Sequence, residues 1–286
     1  MADKNHRVAV VYLMWMPYGI EYFNSFIRSY SQNPAGADHQ LYIIFNGVDE
    51  SGVPGEYKKN LQEYAINYIA ITMQNGQDID AYLFAAKRVE ADIFLFLNTY
   101  SILLANNWLK NYTDAFDFPG VGLVGATGSF QSYYSAVFVN NALAWESDKS
   151  FKENYRKYKL LIKTIFYWRL LFKPFPNPHI RTNAFMVRRE VFLKITKQKL
   201  TSKFKAYQFE SGRNSFTTQI INMGLQVLLV DRNGKTFDLT NWKNSYVFWR
   251  GKQEGLLVSD NQTKRYEEDE KDNRKKLTFL AWGVYE

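Results

Sequence analysis

Asp92-Ile-Phe-Leu-Phe-Leu-Asn-Thr-Tyr-Ser101 holds an unbroken apolar run, Ile93 to Leu97, closed by four residues that each carry a neutral side-chain oxygen. A half-wet strand alternates apolar and polar residues; this run has no wet face and belongs inside a sheet covered on both sides. Upstream, Val8-Ala-Val-Val-Tyr-Leu13, Leu41-Tyr-Ile-Ile-Phe45 and Tyr68-Ile-Ala-Ile-Thr72 read the same way. Helical spacing lies between them: Ile20, Phe23, Ile27 and Tyr30 on one face after Pro17, a segment near Glu56 to Tyr64, and another from Asp78 to Val89. Strand and helix in alternation predict an α/β, Rossmann-like fold, a mostly parallel central sheet with helices on both faces. Such sheets bind ligands at the carboxyl ends of their strands. The candidate loops are therefore Met14 to Tyr18, Asn46 to Asp49, Met73 to Asp80 and Asn98 to Ser101.

Downstream, Val121 to Ala126 reads as a strand with a Thr127-Gly-Ser129 turn and a helix after it, and Ala184 to Val187 as a short strand before a helix at Arg188 to Ile195. Ser215 to Asn222 is helical, with Gly224 placed to end it, and Leu225 to Val230 is a strand. Asn233 to Gly255 reads as an irregular extension before a charged helix from about Asn261 to Leu280, where Ser259 or Asp260 is available as cap. One domain is expected over 1–286: a ligand-binding half at 1–130, a second half at 131–232 carrying a basic helical insert at 149–173, and a C-terminal extension at 233–286.

The chain has no cysteine, which removes disulfides, thiolate metal sites and cysteine nucleophiles together. His6, His39 and His179 are far apart in sequence, which argues against a histidine-based metal site or triad. Gly-x-Gly-x-x-Gly, Gly-Lys-Ser/Thr, Gly-x-Ser-x-Gly and His-Glu-x-x-His are all missing. The run from Val8 to Met16 is too short for a membrane span and ends at Pro17, so a cytoplasmic location is expected. A net charge of +8 calls for an anionic partner. Nucleic acid is not that partner, because the excess charge lies on one amphipathic stretch and no nucleic-acid module is present.

Asp92 to Leu109, with its buried strand, its tetrad and a helix opening on Trp108-Leu109, resembles the family-2-like glycosyltransferases of the GT-A fold. The resemblance implies a nucleotide-sugar-binding domain that moves a sugar from a nucleotide-sugar donor to a saccharide or lipid-linked acceptor. In that family an Asp-x-Asp motif holds a divalent ion against the donor pyrophosphate, because hard carboxylate oxygens suit Mg²⁺ or Mn²⁺. Asn98, Thr99, Tyr100 and Ser101 stand there instead, so no metal ligand is assigned and no cofactor beyond that divalent ion is implied. The substitution leaves two readings open: a transferase that works without the metal, or an inactive relative that still binds nucleotide or glycan. The donor side implied by the resemblance comprises Tyr12, Asn46, Asp78, Asp80, Asn98, Tyr100 and Ser101. A plain helix cap remains the competing role for Asp78, and a simple turn the competing role for the tetrad. Without a metal, the leaving diphosphate would be met by cations, with Arg181, Arg188 and Arg213 the candidates, or by backbone N–H groups at a helix start.

Asn183-Ala-Phe-Met-Val-Arg-Arg-Glu190 is similar to the family's acceptor-side segment, and Phe209-Glu-Ser-Gly-Arg213 with the following Ser215-to-Gly224 block to its catalytic block. This implies Glu210 as the general base of an inverting transfer, assisted by Arg213, with Asn183 and Trp168 on the acceptor side. The family more often has two adjacent acids nearer the helix, and helix-dipole capping is the competing role for Glu210. From Lys149 to Lys173 cations outnumber acids, while Tyr158, Leu161, Ile165, Trp168 and Phe172 recur at helical spacing. That describes either a basic amphipathic helix for the inner face of a membrane or an ordinary helix covering the sheet.

Overall fold

The computed structural model describes residues 6–48, 52–139, 150–196 and 202–285. Asp49 and Lys149, named above as loop and helix boundaries, lie outside them. The first half runs β1 (Val8–Trp15), α1 (Ile20–Gln32), β2 (Gln40–Asn46), α2 (Gly55–Glu63), β3 (Ile69–Met73), α3 (Asp78–Arg88), β4 (Ile93–Leu97), β5 (Ile102–Leu103) and α4 (Trp108–Phe116). It continues through β6 (Val121–Gly125), β7 (Gly128–Ser129), α5 (Tyr133–Val139), α6 (Phe151–Leu171), β8 (His179–Ile180), β9 (Ala184–Arg188), α7 (Arg189–Lys194), α8 (Lys203–Ser211) and α9 (Phe216–Asn222). The last part holds β10 (Gln226–Val230), β11 (Thr236–Phe237), β12 (Val258–Ser259), α10 (Asn261–Glu268) and α11 (Lys271–Trp282).

The central sheet has eight strands in the order β11-β10-β6-β9-β4-β1-β2-β3. Neighbours run parallel except β9, which is antiparallel to both β4 and β6, and β11, which is antiparallel to β10. Each unbroken apolar run divides its side chains between two cores, as strand pleating requires. From β1, Ala9, Val11 and Leu13 join α3, α7 and α9 on one face, while Val10, Tyr12 and Met14 join α1 and α4 on the other. Helices therefore cover both faces, and the α/β, mostly parallel architecture expected from the sequence is the one observed.

Three expectations change. The strand around Ile69 is not buried; β3 is the last strand of the sheet and Ile69 is 45% exposed. The C-terminal charged helix is broken, because Asp269 and Glu270 adopt extended backbone and start a new helix, α11. Gly128 and Ser129 are more than a turn. They pair with Ile180 and His179, so the excursion carrying α5 and α6 leaves and returns at one point.

The aromatic content goes largely into the core. Phe96 stacks on Phe94 and Tyr82 and touches Phe185 and Phe192, joining β4, α3, β9 and α7. Phe96→Ala is expected to cost about 3–5 kcal/mol in urea denaturation, whereas Ile69→Ala at the exposed edge should cost under about 1 kcal/mol.

Candidate functional site

Residues 98 to 101 form a tight turn at the carboxyl end of β4. The Asn98 Oδ1 accepts from the amide N–H of Tyr100 (3.2 Å) and from the Ser101 hydroxyl (3.1 Å), and the Ser101 amide donates to the Asn98 carbonyl. Thr99 turns inward and extends β1, its Oγ1 donating to the Leu13 carbonyl (2.9 Å) and accepting from the Trp15 amide (3.0 Å). Ser101 is buried. Asn98 and Tyr100 are half-buried, and Tyr100 packs against Tyr18 (5.2 Å between ring centroids) and Tyr22 (4.9 Å). Burial, a hydrogen bond to Tyr18 and the nearby Asp78 charge push the Tyr100 phenol well above its usual range, so it stays neutral.

This loop does not fit a divalent ion. Mg²⁺-type sites are usually anchored by one or two carboxylates, whereas this turn has none: Asn98 is engaged within the turn, Thr99 and Ser101 are buried, and Tyr100 keeps its proton. Among the described residues, no three His, Asp or Glu side chains gather where an ion could be held.

At the neighbouring strand ends, the Gly47 and Val48 amides both donate to the Met73 carbonyl, tying the β2 and β3 loops together. Asn46 donates from Nδ2 to the Gly76 carbonyl (2.9 Å), and its buried Oδ1 has no partner among the described residues. Gln77 caps α3, and Asp80 returns the bond by accepting from the Gln77 amide. Asp78 is therefore the first helical residue rather than the cap. Its side chain is solvent-accessible but walled by protein. Desolvation pushes its carboxyl up to about 6, opposed by its own amide N–H and reinforced by the charge of Glu210.

Because β9 runs backwards, its first residues open on the same edge: Ala184 pairs with Leu97 and Arg188 with Ile93 at the far end. Asn183 is buried, accepts from the Thr127 hydroxyl (2.6 Å) and leaves Nδ2 without a partner. A buried, unpaired polar atom costs about 1–3 kcal/mol and such exceptions call for an explanation; both orphans here, on Asn46 at the end of β2 and Asn183 just before β9, lie at this strand edge.

Glu210 sits in the last turn of α8, not at a helix start, so dipole capping is not its role. Its Oε2 accepts from both the amide (2.6 Å) and the hydroxyl (2.7 Å) of Thr182, and Oε1 makes no hydrogen bond among the described residues. It faces a cavity of about 350 Å³ lined by Tyr133, His179, Arg181, Lys203, Tyr207 and Arg265. His179 is 5% exposed, and burial pushes its imidazole below the usual range against the opposing pull of Glu210. Its Nδ1 lies 2.8 Å from the Asn177 carbonyl, which places the proton on Nδ1 and leaves Nε2 bare. A second cavity, of about 570 Å³, is lined by Tyr22, Tyr100, Lys264, Arg265 and Glu268. Arg265 belongs to both walls.

Several sequence-based assignments are corrected. Tyr12 is fully buried, stacked on Phe26 at 3.7 Å with its hydroxyl donating to the Thr99 carbonyl, and so braces the turn from behind rather than meeting a ligand. Arg181 is neutralised by Asp260 at 2.7 Å. Arg188 lies at the opposite end of the sheet, over the Phe116 ring. Arg213 donates to the carbonyls of Arg169, Leu170 and Phe172, closing the C-terminus of α6. Trp168 stands behind Tyr133, one ring removed from the Glu210 cavity. In the sequence His179 stands out only as one of three scattered histidines, and Lys264 and Arg265 do not stand out at all. His179 had no motif, and the two cations were one pair among many in a mixed-charge segment.

No protein-family model matches the chain, and no curated protein matches it. Among solved structures it is similar to the mannosyltransferase PcManGT from Pyrobaculum calidifontis in complex with GDP-Man and Mn²⁺, at 9% identity over 96% of this chain and 70% of that one, with a TM-score of 0.48. It is similar to a CMP:2-keto-3-deoxy-manno-octonic acid synthetase complexed with CTP at 11% identity, covering 78% and 88%, with a TM-score of 0.41. A third is glucosyl-3-phosphoglycerate synthase from Mycobacterium tuberculosis with Mn²⁺, UDP and phosphoglyceric acid, at 13% identity, 65% and 57% coverage, and a TM-score of 0.36.

A carboxyl raised in the folded state keeps its proton longer there than in the unfolded chain, so Asp78 makes folding less favourable as pH rises from about 4 to about 6. Asp78→Asn is expected to flatten that part of the pH-stability curve and to gain on the wild type above about pH 6, read from urea midpoints across the range.

Proposed function

We propose that this chain is a GT-A-type glycosyltransferase that takes a nucleotide sugar in the tyrosine-lined cavity and an acceptor hydroxyl in the Glu210 cavity. The observation that carries this reading is the meeting of two chemically different cavities at Arg265, on the edge of a mostly parallel sheet where ligands bind. Tyr18, Tyr22 and Tyr100 offer apolar ring faces for a planar base or a sugar. Glu210 offers a carboxylate fixed by Thr182 through one oxygen and without a hydrogen bond among the described residues at the other.

In the proposed inverting transfer, the acceptor oxygen attacks the anomeric carbon from the face opposite the leaving group. The bond from that carbon to the phosphate oxygen breaks, its electron pair leaves with the nucleoside diphosphate, and Glu210 Oε1 takes the hydroxyl proton. His179 Nε2, in the same cavity, orients the acceptor by accepting a further hydroxyl hydrogen bond. Glu210→Gln keeps the shape and loses the base. It is expected to lower kcat by about 100-fold or more with donor Kd unchanged, read as nucleotide release from a donor panel. Donor binding without turnover in the wild type would instead favour a nucleotide- or glycan-binding protein.

A cytoplasmic enzyme on a lipid-linked acceptor is the form of this reading that α6 supports. The stripe of Tyr158, Leu161, Ile165 and Trp168 is half-buried against the body, while Phe151 (75% exposed), Leu160, Ile162, Phe166 (70%) and Leu170 face outward among Lys152, Arg156, Lys159 and Lys163. The outward set, not the stripe read from the sequence, is the surface suited to anionic lipid, its long cationic side chains reaching headgroups while the apolar groups insert. Among the described residues no helix is long and apolar enough to cross a membrane. Wild type should cosediment with anionic but not neutral vesicles, and Phe166→Ser with Leu170→Ser should release it. Failure of the wild type to bind anionic vesicles rules the surface out.

A further inference from the structure

The three cations implied by the sequence are all engaged elsewhere, and the tetrad at Asn98 to Ser101 brings no carboxylate. Yet the tyrosine cavity does hold positive charge. Lys264 and Arg265 are adjacent on α10 and line it together, and neither side chain makes an ion pair or hydrogen bond among the described residues. Both are exposed. Two unpaired cations facing one concavity lower the energy of an anion there and leave each other's repulsion unrelieved until it arrives.

The helix that carries them is held from several sides. The buried Asp260 caps α10 by accepting from the amides of Gln262 (3.0 Å) and Thr263 (2.9 Å), and Arg181 holds Asp260 in turn. Trp249 Nε1 donates to the Gln262 carbonyl and Gln253 Nε2 to the Thr263 carbonyl. The α10 backbone is thus fixed before any ligand binds, and only the two long side chains need to move. Asp269 lines the same cavity but accepts from the Glu270 amide and the Asn273 side chain at the α10–α11 junction. Glu268 is the one acid there with no ion pair or hydrogen bond among the described residues.

Resting on the donor-site reading above, we infer that Lys264 and Arg265 bind the diphosphate of a nucleoside diphosphate directly and do the work a divalent ion would do against it. The planar Arg265 guanidinium grips two phosphate oxygens, and the Lys264 ammonium neutralises the rest as a point charge. Tyr100 and Tyr22 supply hydroxyl donors and ring surface beside them. Arg265 also reaches the Glu210 cavity, so the leaving oxygen and the attacking hydroxyl come together at the same side chain.

The test is equilibrium binding of UDP, GDP, ADP and CDP, each with its parent nucleoside, in EDTA and again with Mn²⁺. In EDTA the preferred diphosphate is expected to bind at least about tenfold tighter than its nucleoside. Lys264→Gln with Arg265→Gln should erase that advantage, a loss of about tenfold or more, and flatten the salt dependence; the urea midpoint should not move, since both side chains are exposed. Glu268→Gln, which removes the like charge, should tighten binding. If diphosphate binding needs Mn²⁺, or survives the double substitution, the inference fails while the donor site stands. If no nucleoside diphosphate binds under either condition, the donor-site reading itself is wrong.

Discussion

The ion pair between Arg181 and Asp260 is the contact on which the rest of the cleft depends. Asp260 has no exposed surface and the Arg181 side chain is 11% exposed, so each charge has given up water for the other. Pairs of this kind add little net stability, but removing one partner leaves the other stranded at a cost of about 3–5 kcal/mol. What the pair secures is geometry. Arg181 belongs to the turn before the reversed strand, whereas Asp260 opens α10 from the last part of the chain. Joined, they bring the C-terminal segment onto the strand edge and close both cavities. Phe248 packs under the guanidinium and helps keep water from the pair.

The architecture was largely legible because its signal is local. Runs such as Val8 to Leu13 and Ile93 to Leu97 can be satisfied only inside a two-sided sheet, and helical spacing between them forces crossovers. What could not be read was whatever depends on neighbours distant in sequence. Nothing in Ala184-Phe-Met-Val-Arg188 marks it as running antiparallel between β4 and β6. Nor does Tyr68 to Thr72 reveal that it ends the sheet, since an edge strand differs from a buried one only in who stands beside it.

The same division holds for the site. Glu210 stands in the last turn of α8 and not at a helix start, while the loops at the carboxyl ends of β2, β3 and β4 followed from strand order. The duties of individual side chains did not. Thr99 and Tyr12 share a hydrogen-bonded brace across β1 and β4 that no spacing announces. Arg181, Arg188 and Arg213 looked equivalent as sequence cations, and only their partners show that one is paired with a carboxylate, one lies at the wrong end of the sheet and one closes a helix. Lys264 and Arg265 stand out for the opposite reason, being cations whose side chains have no ion pair or hydrogen bond among the described residues, and the absence of a contact has no sequence signature.

The short ladder between β7 and β8 carries a further consequence. Gly128 with Ile180 and Ser129 with His179 form a clasp at the base of the excursion that begins at Phe130. A segment whose two ends are already clasped can change length for only a few tenths to about one kcal/mol of closure entropy and without disturbing strand register. The clasp also holds His179 against the wall of the Glu210 cavity while α5 and α6 project outward from it. The region resembles a socket and its attachment: the wall that carries His179 stays with the sheet, and the excursion beyond Phe130 can be exchanged, lengthened or recharged as a unit.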